Sequence, residues 1–415
     1  MLSDPLRKSY PRSCFDALPF ALCCFPFLFA SLCVAQNHDV LCREGSGSFQ
    51  AEFHTGVTVQ VMAVRVGELA NRTCAATLSW DKYSLVVAAR APQIDLDTFA
   101  VDLGLGVPVA TFQVKKSPND CCMEYQVYSL EKPPRLLRTL TGGDSFSAAD
   151  TDLDGRLEIW ANDAAAVDGF ENLSLAELDS GPTIVLRFAH GDLLDVSSEF
   201  QSYFDLEIAE LRNKLDSADL HDFKNSDGKF SPDSSFSAER LHRLRHTKSK
   251  ILEIIWSYLY SGREQQAWEL LSEMWPPADL GRIHAAILYA RAHGISAQVN
   301  GVSKGPPESR KKRAQIFDAV AKSATGKLEV TPPEPIMLRR PPFAGPADKD
   351  LSPSELLLEL VIDAAGKVRA IEPAGKAQSA SANLTYIATG WKFIPAFRGG
   401  QAVASRMRLA VSLRQ

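Results

Sequence analysis

The stretch LLLELVIDAAGKVRAI, residues 356–371, is the clearest folding signal in the chain. Residues 356–363 form a largely apolar run that is typical of a buried strand. Ala365-Gly366-Lys367 supplies a tight turn, and residues 368–371 return as a second strand. The stretch therefore predicts a β-hairpin near the C-terminal end, around which a small sheet can form.

Three further segments extend this pattern in a fixed order. Residues 380–389 fit a helix, and residues 391–396 read Trp-Lys-Phe-Ile-Pro-Ala. Residues 403–413 alternate apolar and polar side chains as a long final strand. Together with Gly-Gln-x-Val at residues 400–403, these motifs resemble the TonB C-terminal domain over residues 335–415.

The resemblance implies a fold, a set of core residues and a kind of partner. Trp391, Phe393 and Pro395 are expected to pack the helix against the sheet. Energy-transducing members of the family read the TonB box of outer-membrane receptors by strand addition at an exposed sheet edge. Residues 351–415 carry eight Lys or Arg against four Asp or Glu, a net charge of +4 that suits contact with such a partner.

The N-terminal segment has the order of a secretory signal peptide. Basic residues precede an uncharged run at residues 17–35, and small residues close that run at Ala35. We expect residues 1–35 to be removed and the protein to reside in the periplasm. The rival interpretation keeps the run as an inner-membrane anchor, since at about 1.5 Å per residue it nearly crosses a hydrocarbon core of roughly 30 Å.

Four cysteines follow this segment, at Cys42, Cys74, Cys121 and Cys122. An even number within one stretch of an exported chain indicates one or two disulfides. Because neighbouring cysteines bridge each other only in a small strained ring, separate partners are expected for Cys121 and Cys122, namely Cys42 and Cys74. Buried free thiols are the alternative, and a metal site is disfavoured because no CxxC pair is present.

Residues 36–196 have the features of an acidic, β-rich domain. Short segments of β-branched or alternating character occur at residues 57–61, 83–87, 109–114 and 125–128, separated by polar turns. This spacing predicts an antiparallel all-β domain, either a sandwich or part of a propeller.

The sharpest local motif is DTDLDGRLE at residues 150–158. Aspartates at alternate positions before a glycine turn can direct several oxygen ligands towards one Ca²⁺ ion. The EF-hand pattern requires a glutamate where this chain has Ala161, and the stretch instead resembles the calcium loop of FG-GAP or VCBS propeller repeats. The alternative is a turn whose aspartates accept backbone amides without a metal. The candidate Ca²⁺ ligands are Asp150, Asp152, Asp154 and Glu158.

The surroundings of this motif are strongly acidic. Residues 141–200 hold 13 Asp or Glu against two Arg, a net charge of −11. Such a charge repels itself unless cations or a basic partner screen it, so Asp163, Asp168 and Glu171 are further candidate ligands. A solvated acidic face is the alternative interpretation.

Helical periodicity begins near residue 197 and predicts a helical domain over residues 197–300. Residues 250–275 are similar to one tetratricopeptide helix pair, but a single repeat favours a short bundle over an array. His242 and His246 lie four residues apart and could bind metal, although the neighbouring basic residues favour a solvated face. Helices are expected at about residues 200–211, 238–260, 263–274 and 279–293.

Clustered prolines mark residues 301–334 as a linker. One short helix is expected within it, at about residues 308–323. The basic tetrad at residues 310–313 could meet phosphate groups or the acidic domain of this same chain.

The whole chain has 415 residues and a net charge of −5, which argues against a basic nucleic-acid binder and fits a multidomain α+β protein. No complete catalytic signature is present, so an enzyme is the third interpretation. The first is an exported cell-envelope protein of a Gram-negative bacterium that binds an envelope or outer-membrane protein through its C-terminal module. The second is a divergent TonB-type energy transducer for outer-membrane transport, anchored in the membrane by an uncleaved N-terminal helix.

Overall fold

The structure is a computed structural model that describes residues 42–43, 48–66, 71–230, 236–303, 312–319, 330–337, 355–374 and 382–412. The N-terminal segment at residues 1–35 lies outside the described residues. Within the described ranges, no helix has both the length and the apolar character needed to span a membrane.

Strands dominate the first part of the described chain, as its β-branched segments predict. The strands are β1 (Cys42–Arg43), β2 (Phe49–Glu52), β3 (Val57–Val66), β4 (Asn71–Trp80), β5 (Tyr83–Ala91), β6 (Gln93–Val101), β7 (Val109–Lys115), β8 (Met123–Ser129), β9 (Leu136–Ala149), β10 (Glu158–Asp163), β11 (Thr183–Ala189), β12 (Asp192–Asp195) and β13 (Gly301–Val302).

These strands form two sheets. The larger has the order β1-β6-β7-β8-β9-β10-β11-β12-β13, and the smaller has the order β2-β3-β4-β5. All pairings are antiparallel except that between β12 and β13. One hydrophobic core lies between the smaller sheet and the β1, β6 and β7 end of the larger sheet, with Val59, Leu78 and Phe112 among its fully buried members.

The disulfides differ from the expected pairing. Cys42 bonds to Cys74, with their Cα atoms 5.7 Å apart, and Cys121 bonds to its neighbour Cys122. The expectation of separate partners for Cys121 and Cys122 is therefore wrong. The physical reason is the sheet arrangement, which places Cys42 and Cys74 together in the core between the sheets and leaves the other two in the connection from β7 to β8.

The helices pack against the same large sheet and do not form a separate bundle. Phe204 and Ile251 of the helices share one core with Leu140 and Ile184 of the sheet. The boundary drawn near residue 197 therefore falls inside one packed unit. The helices are α1 (Gln201–Asn213), α2 (Ser217–Lys224), α3 (Ala238–Tyr260), α4 (Glu264–Met274) and α5 (Leu280–Arg291).

The C-terminal region forms a small α+β module with its own core, in which Leu360, Trp391 and Phe393 are buried. Pro395 is buried as well. Its elements are β14 (Phe317–Asp318), β15 (Glu334–Met337), β16 (Glu355–Ile362), β17 (Val368–Pro373), α6 (Ala382–Thr389), β18 (Lys392–Ile394), β19 (Ala396–Arg398), β20 (Gln401–Val403) and β21 (Ser405–Ser412). The main sheet has the order β14-β21-β16-β17.

The turn between β16 and β17 requires glycine. Gly366 has a φ of +79°, and a Cβ atom at this position would lie 1.8 Å from the carbonyl oxygen of Phe393. The close approach lets the amide of Phe393 donate a hydrogen bond to the carbonyl of Gly366 at 2.9 Å. Glycine therefore brings the hairpin turn against the strand that carries Trp391-Lys392-Phe393.

The helix expected at about residues 308–323 is wrong over the part that the structure describes. Residues 312–319 contain no helix, and Phe317–Asp318 form β14. The amides of Phe317 and Ala319 donate hydrogen bonds to the carbonyls of Ala404 and Arg406. In a helix, these amides would instead donate to carbonyls within the same helix. Pairing with β21 therefore overrides the local helix preference of this segment.

The two disulfides should contribute unequally to stability. Cys42→Ala with Cys74→Ala opens a bond between residues 32 positions apart, and we expect the free energy of unfolding to fall by about 3 kcal/mol. Cys121→Ala with Cys122→Ala opens a bond that constrains almost no chain, so we expect a loss below about 1 kcal/mol. Chemical denaturation of the two double variants tests this, and equal losses would contradict it.

Candidate functional site

The acidic loop, residues 150–157, connects β9 to β10, and three of the four candidate ligands lie together in this loop and at the first residue of β10. Carboxylate oxygens of Asp150, Asp152 and Glu158 all lie within 4.8 Å of one another. Asp150 and Glu158 are fully buried, and Asp152 is half-buried. In the described part of the chain, this is the one group of His, Cys, Asp or Glu side chains close enough to hold a metal ion.

Backbone amides organise this loop around Asp150. Its carboxylate accepts hydrogen bonds from the amides of Asp154 and Gly155, both at 2.9 Å. Gly155 has a φ of +87°, a conformation that glycine adopts without strain. The amide-capped turn predicted as the alternative to a metal loop is thus present. The carboxylate that accepts its amides, that of Asp150, is also a member of the carboxylate cluster.

The fourth candidate ligand points elsewhere. The carboxylate of Asp154 accepts hydrogen bonds from the backbone and side chain of Arg156, with an ion pair of 2.5 Å. Of the three further candidates, Asp163 is the last residue of β10, at the opposite end from Glu158, and accepts hydrogen bonds from Tyr260 and the amide of Ile295. Asp168 also lies outside the cluster of three carboxylates.

Glu171 forms ion pairs with side chains of α3 and α5, and its role is therefore structural. Its carboxylate pairs with the side chains of Lys248 and Arg282. Burial opposes its ionisation, but hydrogen bonds from these two cations outweigh burial and lower its pKa. Glu171 is therefore committed to holding α3 and α5 in place.

Burial and mutual repulsion raise the pKa values of the clustered carboxyl groups. The pKa of Asp150 rises to about 7, first because of burial and then because of the neighbouring carboxylate of Asp363. Burial also raises the pKa of Glu158 well above its usual value, although Arg187 opposes this effect. Burial thus disfavours the charged form of both carboxyl groups.

Arg187 supplies the nearest buried positive charge. Its guanidinium donates to Oε1 of Glu158 at 2.6 Å and to Glu199 at 3.1 Å. It therefore divides one positive charge between two carboxylates.

The two histidines of α3 do not form a ligand pair. His246 has a lowered pKa, caused first by burial and then by the ammonium group of Lys250. A nearby cation disfavours a second one, and neither His242 nor His246 belongs to the cluster of three carboxylates. The basic face expected for this helix describes their surroundings better than a metal site.

The C-terminal module docks on β6 through two buried ion pairs. Lys367 pairs with Asp97 at 2.5 Å, and Lys392 pairs with Asp95 at 2.9 Å. Each ammonium group also donates to a backbone carbonyl of β6, that of Asp97 or Leu96, at 3.0 and 2.9 Å respectively. Both lysines lie within the motifs that carry the family resemblance.

The aspartates of β6 are held by further hydrogen bonds. Asp97 accepts from the hydroxyl of Tyr125 and from the amide of Ala148, both at 2.7 Å. Burial alone would raise the pKa of Asp97, but the charges of Lys367 and Lys392 outweigh it and lower the pKa. Asp97 is therefore an ionised carboxylate at neutral pH.

Sequence analysis missed this interface, although a signal for it was present. In Ile94-Asp95-Leu96-Asp97, the apolar and acidic residues alternate, which predicts a strand with both aspartates on one face. Ile94 and Leu96 lie in the core between the sheets, and the aspartates face the module. Two acidic side chains on a half-buried strand require cationic partners, but the pattern does not say which ones.

The module also contacts the acidic loop directly. Oδ2 of Asp363, at the end of β16, accepts a hydrogen bond from the amide of Asp150 at 3.1 Å and one from Arg369 at 2.6 Å. The first residue of the acidic loop is thus attached to the hairpin of the module.

The edge of the module sheet carries one short added strand. β14 pairs with β21 in parallel, with Phe317 opposite Ser405 and Asp318 opposite Arg406. Within the described ranges, no strand pairs with residues 407–412 on this side of β21.

Comparison with protein-family models, with curated proteins and with solved structures found no match.

The docking interface should be essential for stability. In the variant Lys392→Met, Asp95 keeps a buried charge without its ammonium partner, so we expect a loss of about 3–5 kcal/mol in the free energy of unfolding. Adding Asp95→Asn removes the stranded charge and should restore part of that loss. The control Arg408→Met removes an exposed cation, and we expect less than about 1 kcal/mol. Chemical denaturation measures the free energy of unfolding of all three variants. Equal stability of Lys392→Met and the control Arg408→Met would refute the role of the pair.

Proposed function

We propose that this chain is an exported cell-envelope protein that binds a protein partner by strand addition at the edge of β21. The observation that carries the proposal is β14. The chain's own linker already lies on this edge as a short parallel strand, held by backbone hydrogen bonds of 3.0 Å from Phe317 to Ala404 and 2.8 Å from Ala319 to Arg406. An edge that accepts one extended segment has the backbone geometry to accept another.

The next part of the edge offers a place for the partner. Backbone groups alternate in direction along a strand, so Arg408 and Ala410 point their N–H and C=O groups to the same side as Arg406. Within the described residues, those positions have no neighbouring strand on that side. A partner segment that enters beyond β14 would gain main-chain hydrogen bonds there.

Charge favours an acidic partner segment. The exposed side chains of Arg406 and Arg408 flank this edge and share the carboxylate of Glu359, at 3.3 and 3.4 Å. Exposed ion pairs of this length contribute little energy, so both arginines can exchange Glu359 for carboxylates of a partner. An extended segment with acidic residues at alternate positions fits this surface best.

The disulfide between Cys42 and Cys74 supports a place in an oxidising compartment. The bond between Cys42 and Cys74 requires an oxidising environment, which the periplasm of a Gram-negative cell provides. Determination of the N-terminus and of the membrane fraction separates this proposal from the transducer alternative. A soluble chain beginning near Gln36 supports the exported binding protein, whereas an intact membrane-embedded chain supports the transducer.

Site-specific photo-cross-linking tests strand addition. A benzophenone amino acid is placed at Arg408 or at Ala410 of the full chain in the producing bacterium, and cross-linked peptides are sequenced by mass spectrometry. The partner segment is proposed to run parallel to β21, as β14 does, and parallel strands advance together at about 3.3 Å per residue. The probe at position 410 should therefore reach a partner residue two positions beyond the one reached from position 408.

Two controls make this experiment decisive. Glu372 is exposed on β17, at the other end of the sheet order. A probe placed there should not cross-link to the partner residues reached from positions 408 and 410. Ala410→Pro removes an outward N–H and should abolish cross-linking from position 408, whereas Ala410→Val keeps the N–H and should preserve it. Contacts in reversed order, or equal cross-linking from Glu372, would refute parallel addition to β21.

A further inference from the structure

A cleft of about 600 Å³ lies between α1, α3 and the part of the large sheet formed by β9 and β10. Leu211 of α1 and Trp256 of α3 form apolar parts of its wall, and Ser145 of β9 and Asn162 of β10 add polar groups. The volume falls in the range of roughly 300–1,000 Å³ that is typical of small-molecule sites, as is the mixture of apolar and polar side chains. All its lining residues lie between positions 144 and 257, so strand addition at β21 does not use this cleft.

Carboxyl groups outnumber cations on the walls of the cleft. The acidic residues are Asp144, Asp179, Glu207, Glu210 and Glu253, and the lysines are Lys214 and Lys250. His246 also lines the cleft, but burial and then the charge of Lys250 lower its pKa, so it is neutral at neutral pH. Burial raises the pKa of Glu253 to about 8, although Lys250 opposes this effect. Even with Glu253 protonated, the lining carries more negative than positive charges, which favours a cationic ligand.

These carboxyl groups are spread over several walls. Glu207 and Glu210 belong to α1, Asp144 belongs to β9, and Asp179 lies in the segment before β11. In the described part of the chain, the one group of three acidic, histidine or cysteine side chains close enough to hold a metal ion is that of the acidic loop. The cleft therefore suits an elongated cation with several ammonium groups better than a metal ion.

The wall of the cleft also contains a hydrogen-bond donor without an acceptor. Trp256 is 1% exposed, and its indole N–H donates no hydrogen bond within the protein. A buried tryptophan N–H normally has an acceptor, because burial without one costs free energy. An oxygen atom of a bound molecule would remove this cost, so the ligand should carry an acceptor as well as ammonium groups.

We propose that this cleft binds a short peptide that carries lysine side chains. Each lysine ammonium lies at the end of a flexible apolar stem, which can pack against Leu211 and Trp256 while the ammonium reaches a carboxylate. Two such side chains and the N-terminal ammonium reach carboxylates on different walls. The peptide carbonyl is an acceptor for the indole N–H of Trp256, which neither a metal ion nor an aliphatic polyamine supplies.

The ion pairs of the cleft are compatible with this ligand. Glu210 pairs with Lys214 at 3.1 Å, and the two side chains are 40% and 34% exposed. A pair this exposed contributes little free energy, so Glu210 can exchange Lys214 for an ammonium group of the ligand. Lys250 is buried and pairs with Asp179 and Glu253 at 2.7 and 2.9 Å, which holds α3 against the segment before β11 and keeps the cleft in shape.

Calorimetric titration of the full chain with lysyl-lysine amide tests the proposal. We expect one site with a dissociation constant below about 1 mM. Spermidine has the same number of ammonium groups but no carbonyl, and it should bind about fivefold more weakly, the effect of one hydrogen bond. Glycyl-glycine amide has the same backbone but no lysine side chains, and it should give no binding heat.

Asp144→Asn and Glu210→Gln, on different walls, should each weaken binding of lysyl-lysine amide about threefold or more, because each removes one negative charge and preserves the size of the side chain. Glu239→Gln is the matched control and should bind as the unmodified chain does. Glu239, like Glu210, pairs at 3.1 Å with a cation four residues further along its helix, but it does not line the cleft.

Nuclear magnetic resonance of the indole N–H groups provides a readout of Trp256 itself. The chain has six tryptophans, and the signal of Trp256 is identified by its absence from the spectrum of Trp256→Phe. Lysyl-lysine amide should shift this signal and leave that of Trp80, on β4, unchanged.

The proposal is overturned if the folded chain gives no binding heat with lysyl-lysine amide. It is also overturned if both cleft variants bind this peptide as tightly as Glu239→Gln does. Equal affinity for spermidine, or an unshifted Trp256 signal, overturns the role of the peptide carbonyl and with it the choice of a peptide.

Discussion

Two lysine ammonium groups buried against two aspartates of β6 determine how the C-terminal module sits on the rest of the protein. A buried charge is stable only when a counter-charge and hydrogen bonds replace its water. Lys367 and Lys392 each have an aspartate and a backbone carbonyl of β6. Apolar surfaces alone can slide past each other, whereas these ion pairs and hydrogen bonds form in only one arrangement. We therefore expect the two lysines to set the position of the module on β6.

This interface divides the module into an inward and an outward part. Lys367 immediately precedes β17, and Lys392 lies on β18, whereas β21 lies towards the other end of the sheet order β14-β21-β16-β17. The motifs that carry the family resemblance thus serve the module's core and its docking. In the proposed function, the main-chain hydrogen bonds to a partner would come from the backbone of the edge strand.

The acidic loop depends on the same docking. Asp363 of the module accepts the amide of Asp150 and is tied to Arg369. Arg187 reaches Glu158 from the neighbouring strand β11, and Glu199 follows β12. The three clustered carboxylates all lie within residues 150–158, whereas the side chains that surround them come from segments far apart in the sequence.

The sequence by itself determined the local elements. Its periodicity predicted the helix at residues 238–260 that is present as Ala238–Tyr260, and the hairpin around Gly366, because side-chain alternation and turn chemistry act over a few residues. It also identified the acidic motif, of which three carboxylates converge and Asp154 does not. Tertiary structure alone decided which cysteines bond, which segment pairs with β21, and which lysines neutralise Asp95 and Asp97. Lys367 and Asp97 are 270 positions apart, and their contact exists because burial on folding forces charges to find partners that no local pattern specifies.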